Sequence, residues 1–304
     1  MIACLPPKVS NAYRKGGCMA YKNELPVQGR KAAVDFDKIG ITNDVMFGTV
    51  FKNADDCREL LQRILGIEIC ELTIVESQKS IKTTLLGKGI RIDVYVKDNH
   101  GNDYDIEMQT TKDTDLHLRS RYYHSEMDGY QICAGEKYSN LKNSIVIFIC
   151  TFDPFADKRC IYTFQTNCME NKDIILDDKR TTYFVNIHGN REGMNKKTAD
   201  LLEYFKTGKP TDYYTKNIQD QVIKYREDDE WRDNYMTLEM KMDQRYEEGL
   251  KIGRTEGKME GERDRDQELI MKWIQKGKTI TEIAEDLDKP IEYVKSIMTK
   301  TVDK

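Results

Sequence analysis

The chain has 304 residues, of which 39% are hydrophobic and 33% charged, and carries a formal net charge of −4. That length suits one large domain or a domain with an appendage. The charge excludes a protein coated in basic residues, but it leaves room for local patches that steer an anionic partner. No apolar run approaches the length of a membrane span. Eight scattered cysteines form no CxxC and no zinc-ligand spacing, so they read as reduced and mostly structural, as in a cytoplasmic protein. Cys133 and Cys150 lie in apolar sequence, where Cys behaves as a small hydrophobe.

Residues 1–34 show no periodicity and contain Pro6, Pro7, Gly16, Gly17, Pro26 and Gly29. They read as a disordered basic arm, with Lys8, Arg14, Lys15, Lys22, Arg30 and Lys31 against Glu24. The opening MIACLPP is too short for a signal-peptide core, and Met19 is an alternative start to Met1. From Thr42 the pattern is helical, with Thr42 or Asn43 as cap and a stripe of Met46, Phe47, Val50 and Phe51. A second helix begins at Asp55, buries Leu60, Leu61, Ile64 and Leu65, and ends at Gly66. Ile67 to Val75 reads as a strand, followed by a polar loop from Lys79 to Lys88.

A hairpin follows. Ile90, Ile92, Val94 and Val96 alternate with Arg91, Asp93, Tyr95 and Lys97; Tyr104, Ile106 and Met108 alternate with Asp103, Asp105, Glu107 and Gln109. Asp98-Asn99-His100-Gly101-Asn102 is turn chemistry. Pairing Lys97 with Asp103 sets Asp93 opposite Glu107, with Gln109 two residues along. Opposed Cβ atoms lie roughly 4.5–5.5 Å apart, near enough for both carboxylates to hold one hard cation. Such a face is also an ordinary outcome for a solvated strand pair.

A long helix spans about Thr114–Gly135, and Ser144–Ile149 has the continuous apolar character of a strand buried on both faces. Tyr162–Phe164 and Thr182–Ile187 are shorter strands. Residues 216–265 form a charged helical arm in which Gly249, Gly253, Gly257 and Gly261 recur every fourth residue. Each costs a helix about 1 kcal/mol relative to Ala, so the segment is either a close-packing homotypic arm or a frayed linker. Residues 266–304 recover apolar periodicity. Leu269, Ile270, Trp273 and Ile274 form one helix, Ile280, Ile283, Ala284 and Leu287 a second, and Pro290 opens a third. This tail is helix-turn-helix-like, or a small cap for oligomerisation.

The hairpin resembles the PD-(D/E)XK nuclease superfamily, in which an Asp and a Glu-x-Lys on neighbouring strands bind Mg²⁺ and activate water against a phosphodiester. Asp93 and Glu107-Met108-Gln109 match that motif, with Gln in place of Lys. One branch writes it IEMQ: the PD-(D/E)XK nuclease-family transposases related to the recombination-promoting nucleases. Thr42–Phe47 with Val50-Phe51 is similar to that branch's opening helix, and Arg119, Tyr122 and Tyr123 to its Arg-x-x-Tyr-Tyr. Leu141–Ile149, Thr151–Phe155 and Tyr162–Phe164 are similar to its later strands. The resemblance covers roughly residues 38–245.

The resemblance implies an α/β, restriction-endonuclease-like core over residues 35–215, with a mixed central sheet flanked by helices and an extended helical C-terminal region. It implies a Mg²⁺-dependent DNA endonuclease (Mn²⁺ as substitute) associated with mobile elements or recombination. Asp93, Glu107 and Gln109 are then the catalytic residues. Asp93, Glu107, the Met108 carbonyl and Asp44 are the metal ligands, and Arg119 and Arg121 the phosphate contacts. The expected partners are DNA and further copies of the chain through its C-terminal helices. The alternative is a weak or inactive nuclease fold that serves as a DNA-binding or oligomerisation module, favoured by the uncharged Gln109.

Overall fold

The computed structural model describes residues 34–81 and 90–302. The expected basic arm, and Lys82–Lys88 of the expected polar loop, lie outside the described residues. The rest, from Asp35 onward, forms one compact unit around a six-stranded mixed sheet of order β1-β2-β3-β4-β6-β5.

Two capped helices open it. α1 (Asp44–Val50) is capped by Asn43, whose side chain accepts from the Met46 N–H; α2 (Ala54–Leu65) is capped by Asn53 and closed by Gly66 in the left-handed region. β1 (Leu72–Ile81) lies later than the apolar pattern of Ile67–Val75 suggests. Residues 67–71 make no strand, and the polar stretch Glu76–Ser80 pairs instead with β2 (Ile90–Asp98). Partnership with β2 thus outweighs the poor hydrophobic pattern of β1.

β2 turns into β3 (Asp103–Gln109) through Asp98, whose carboxylate accepts from the His100 and Asn102 N–H groups, the Asn102 amide and the Tyr104 hydroxyl. The pairing has the expected register, Lys97 with Asp103 through Val94 with Ile106. α3 (Leu116–Gln131) then crosses over to β4 (Ser144–Cys150), which runs parallel to β3. β5 (Ile161–Phe164) and β6 (Arg180–Asn186) complete the sheet, β6 parallel to β4 and antiparallel to β5.

Both faces of the central strands are buried. Val94, Val96, Tyr104, Ile106 and Met108 fill one face. On the other, Leu116, Tyr123 and Met127 of α3 pack over Tyr95, Phe148 and Phe184. The alternation in the hairpin suggests a solvated polar face; instead α3 covers it, and Asp103, Asp105 and Glu107 are buried. Cys150 is buried as its sequence implies, whereas Cys133 is exposed just beyond α3.

Beneath α3, His124 bridges the hydroxyls of Ser144 (2.7 Å) and Thr182 (2.9 Å). Burial holds its imidazole down at about 4. Between that value and about 6.5, the unfolded chain binds a proton that the fold refuses. The His124 contribution to stability should therefore fall by up to about 3 kcal/mol as pH drops through this window. Urea unfolding of the wild type and His124→Gln at pH 7 and pH 5 reads it as the difference between the two slopes.

α4 (Lys196–Thr207), which the apolar pattern did not announce, is capped by Asn195 and closed by Gly208. Its Phe205 meets the Phe47 and Phe51 rings of α1. α5 (Tyr213–Glu227) starts in a capping box of Asp212 and Thr215 and packs on α1. α6 (Asp229–Gln275) is 47 residues long. Its root is fastened to the core: Trp231 donates to Thr49 Oγ1, and Asn43 donates to the Tyr235 hydroxyl. Farther along, Met240, Tyr246, Leu250, Ile252 and Met259 are exposed, and a Cβ at Gly249, Gly253, Gly257 or Gly261 would meet nothing within 4 Å. The end of α6 packs with α7 (Ile280–Leu287) and α8 (Ile291–Val302) around Ile270, Ile283, Val294 and Ile297. None of the described helices is long and apolar enough to cross a membrane.

Candidate active site

β2 and β3 part company one residue after the Val94–Ile106 pair, while β2 continues alongside β1 to Ile90. Parting leaves backbone donors without strand partners, and the two acidic side chains take them. The Met108 N–H donates to Asp93 Oδ2 (3.1 Å), and the Asp93 N–H donates to Glu107 Oε1 (3.2 Å). Each carboxylate is thus tethered to the other's strand, in the opposed arrangement that the register implies.

The neighbouring acids on the same face differ in their company. Asp103 is fully engaged by the Tyr95 hydroxyl, the Gln131 amide and the Lys97 ammonium, so it holds the hairpin to α3. Asp105 is buried, and no N–H or hydroxyl donor reaches its oxygens; its polar company is the Glu107 carboxyl, a partner with which it can only share a proton. Burial and the nearby Asp93 push its carboxyl well above the usual range. Burial, then Asp105 and Asp93, do the same to Glu107. Burial lifts Asp93 to about 6, with the Met108 N–H pulling the other way and the Asp44 charge adding to the rise. Asp105 was not among the residues singled out from sequence, although its parity with Glu107 on β3 was the signal for it.

One cation offsets this cluster from α3. Arg119 donates to Glu107 Oε2 (3.2 Å), Gln109 Oε1 (3.0 Å) and the Tyr123 hydroxyl (3.0 Å). Gln109 in turn donates its amide N–H to the Thr111 carbonyl (2.7 Å). Asp93, Glu107, Gln109 and Arg119 are therefore brought together, and Asp44 reaches them through its charge. Arg121 is not: two residues from Arg119 on a helix, it is exposed on another side.

By their chemistry, as oxygen donors, these residues suit a hard divalent cation. Two buried carboxyls, Asp105 and Glu107, sit with the half-buried Asp93, and the charges of Arg119 and Arg91 do not balance all three. In the geometry described, no group of three or more His, Cys, Asp or Glu side chains among the described residues is placed to hold a metal ion. The reason is visible in the hydrogen bonds: Asp93 and Glu107 are turned onto backbone N–H groups.

A mixed sheet with acids where two strands diverge, backed by a helix carrying Arg, defines the PD-(D/E)XK nuclease class. A family model for the PD-(D/E)XK nuclease family transposases matches residues 43–260, and the chain belongs to that family. No curated protein and no solved structure gives a match.

Proposed function

We propose that this protein is a Mg²⁺-dependent DNA endonuclease that hydrolyses phosphodiester bonds, with Mn²⁺ as substitute, in the service of mobile elements or recombination in the cytoplasm. The observation that carries the reading is the mutually repelling acid cluster at the divergence of β2 and β3. Asp93, Glu107 and the Met108 carbonyl would hold the cation, with Asp44 as a further acid on its approach. A divalent ion bound there supplies a more acidic water and neutralises phosphate charge. Arg119 fixes Glu107 and Gln109 at its two ends. Its planar fork suits a phosphate oxygen as well as these groups. Gln109, uncharged at both ends, orients a water or a phosphate oxygen by hydrogen bonds rather than by taking a proton. The exposed apolar and glycine positions of α6 suit self-association through the C-terminal helices.

The second reading, a fold that binds DNA without cutting it, is favoured by the engagement of Gln109 with Thr111 and Arg119. Nicking of supercoiled plasmid with Mg²⁺, Mn²⁺, Ca²⁺ or EDTA separates the two. Cleavage with Mg²⁺ or Mn²⁺ alone supports the endonuclease. Retention of DNA without cleavage under any metal supports the binding module.

A further inference from the structure

Ser77 of β1 pairs with Val94 and Lys79 with Ile92, so Gln78 occupies the position across from Asp93. It does so in the left-handed region, at φ 57°, although it is neither a glycine nor at a strand end. Both polar atoms of its side chain are sealed from solvent and bond to nothing. Other amides of the fold are used: Asn43 and Asn53 cap helices, and Gln62 and Gln131 accept from backbone N–H groups. A strained backbone and an orphaned buried amide at one residue both cost folding free energy, and such costs concentrate at functional sites.

The surroundings say what the amide is for. α1 comes down on this spot at Gly48, where a Cβ would lie 3.3 Å from the Asp93 carbonyl oxygen and 3.5 Å from Gln78 Nε2. A side chain there would crowd the Asp93 carbonyl and touch the amide. Asp44 stands one helical turn before Gly48, on the same stripe of α1, and its charge is felt at Asp93. The amide therefore sits where α1, β1 and β2 converge on Asp93. It is donor and acceptor at once, and so suits water, which is both. Hard divalent cations keep several waters when they bind to few carboxylates.

We infer that Gln78 is a positioning residue of the site, whose amide, closed to solvent in the cation-free geometry, takes up water of a divalent cation's shell on the Asp44 side of Asp93 once the cation is seated. The inference rests on the reading of Asp93 as a cation ligand. It assigns the strain in β1 to metal binding rather than to the stability of the sheet.

Two replacements test it, Gln78→Gly, which suits the left-handed backbone, and Gln78→Met, which keeps the volume and removes the polar atoms. The measurements are urea unfolding of the metal-free protein and calorimetric titration with Ca²⁺. Gln78→Gly should leave the urea midpoint at or above that of the wild type, because it relieves the strain and buries no orphan. Both variants should bind Ca²⁺ about tenfold more weakly. A midpoint below the wild type in Gln78→Gly, or Ca²⁺ binding within about twofold of the wild type in either folded variant, overturns the inference. Asp93→Asn in the same titration keeps the two readings apart. If it binds Ca²⁺ like the wild type, the Asp93 site itself is wrong. If it loses Ca²⁺ while the Gln78 variants do not, only the role of Gln78 falls.

Discussion

Asp93→Asn is expected to lower plasmid nicking about a thousandfold or more while leaving the protein folded. Asn keeps the oxygen that accepts from the Met108 N–H and removes only the charge. A cation at this site supplies several kcal/mol of transition-state stabilisation, and about 4 kcal/mol is a thousandfold. The same substitution should raise the stability of the metal-free protein. Burial lifts the Asp93 carboxyl to about 6, so the folded state favours its neutral form. That preference stabilises the fold at low pH and is lost as pH rises through about 6. At pH 8 the wild type therefore carries a penalised charge and Asn does not, a gain of up to about 3 kcal/mol. A gain of stability with loss of activity is the signature of a functional acid. Equal nicking rates for the two proteins would remove Asp93 from the chemistry. Lower stability in the variant would mean that the carboxylate serves the sheet.

Much of this site was legible in the sequence because strand parity is strict. Alternation fixed which residues share the Asp93 face, and the turn Asp98–Asn102 fixed the register to the residue. What parity does not tell is whether a face meets water or a helix. The placement of α3 over the acids depends on the crossover between β3 and β4, and no local pattern of the hairpin reports it. Hence Asp103, Asp105 and Glu107 look like solvated acids in sequence and are buried in the structure. The outer strand β1 was misread for the complementary reason. Its polar run Glu76–Ser80 takes its conformation from pairing with β2 rather than from burial of its own. α4 is not announced by the sequence, because Leu201, Leu202 and Phe205 are too few to set a period. Arg63 was overlooked as well, since nothing about a charged residue in a helix with acidic neighbours suggests that it is buried.

Arg63→Ala is expected to be the most damaging substitution away from the acid cluster, at about 3–5 kcal/mol. The side chain belongs to α2 and is only 5% exposed. It donates to Glu59 (2.8 Å), to the Lys197 carbonyl (3.1 Å) and to Asp212 (2.7 Å), and it lies 4.3 Å above the Tyr214 ring. Lys197 lies in the first turn of α4, Asp212 caps α5, and the Arg63 carbonyl accepts from Thr198 of α4 (2.6 Å). One guanidinium therefore fixes three helices, and through α5 it supports α1, the helix that presents Asp44 and Gly48 to the site. Truncation leaves two carboxylates facing a cavity with no counter-charge, which costs far more than the pair contributes when intact. Lys196→Ala is the internal control. Its partner Asp200 lies four residues along the same helix, the ammonium is mostly exposed, and such pairs contribute about 0.3–0.5 kcal/mol. Urea midpoints of both variants, with m-values compared to the wild type, decide the matter. A loss in Arg63→Ala no larger than in Lys196→Ala would mean that α4 and α5 are held by apolar contacts alone. A large loss accompanied by weaker Ca²⁺ binding would tie the anchoring of α5 to the seating of α1 over Asp93.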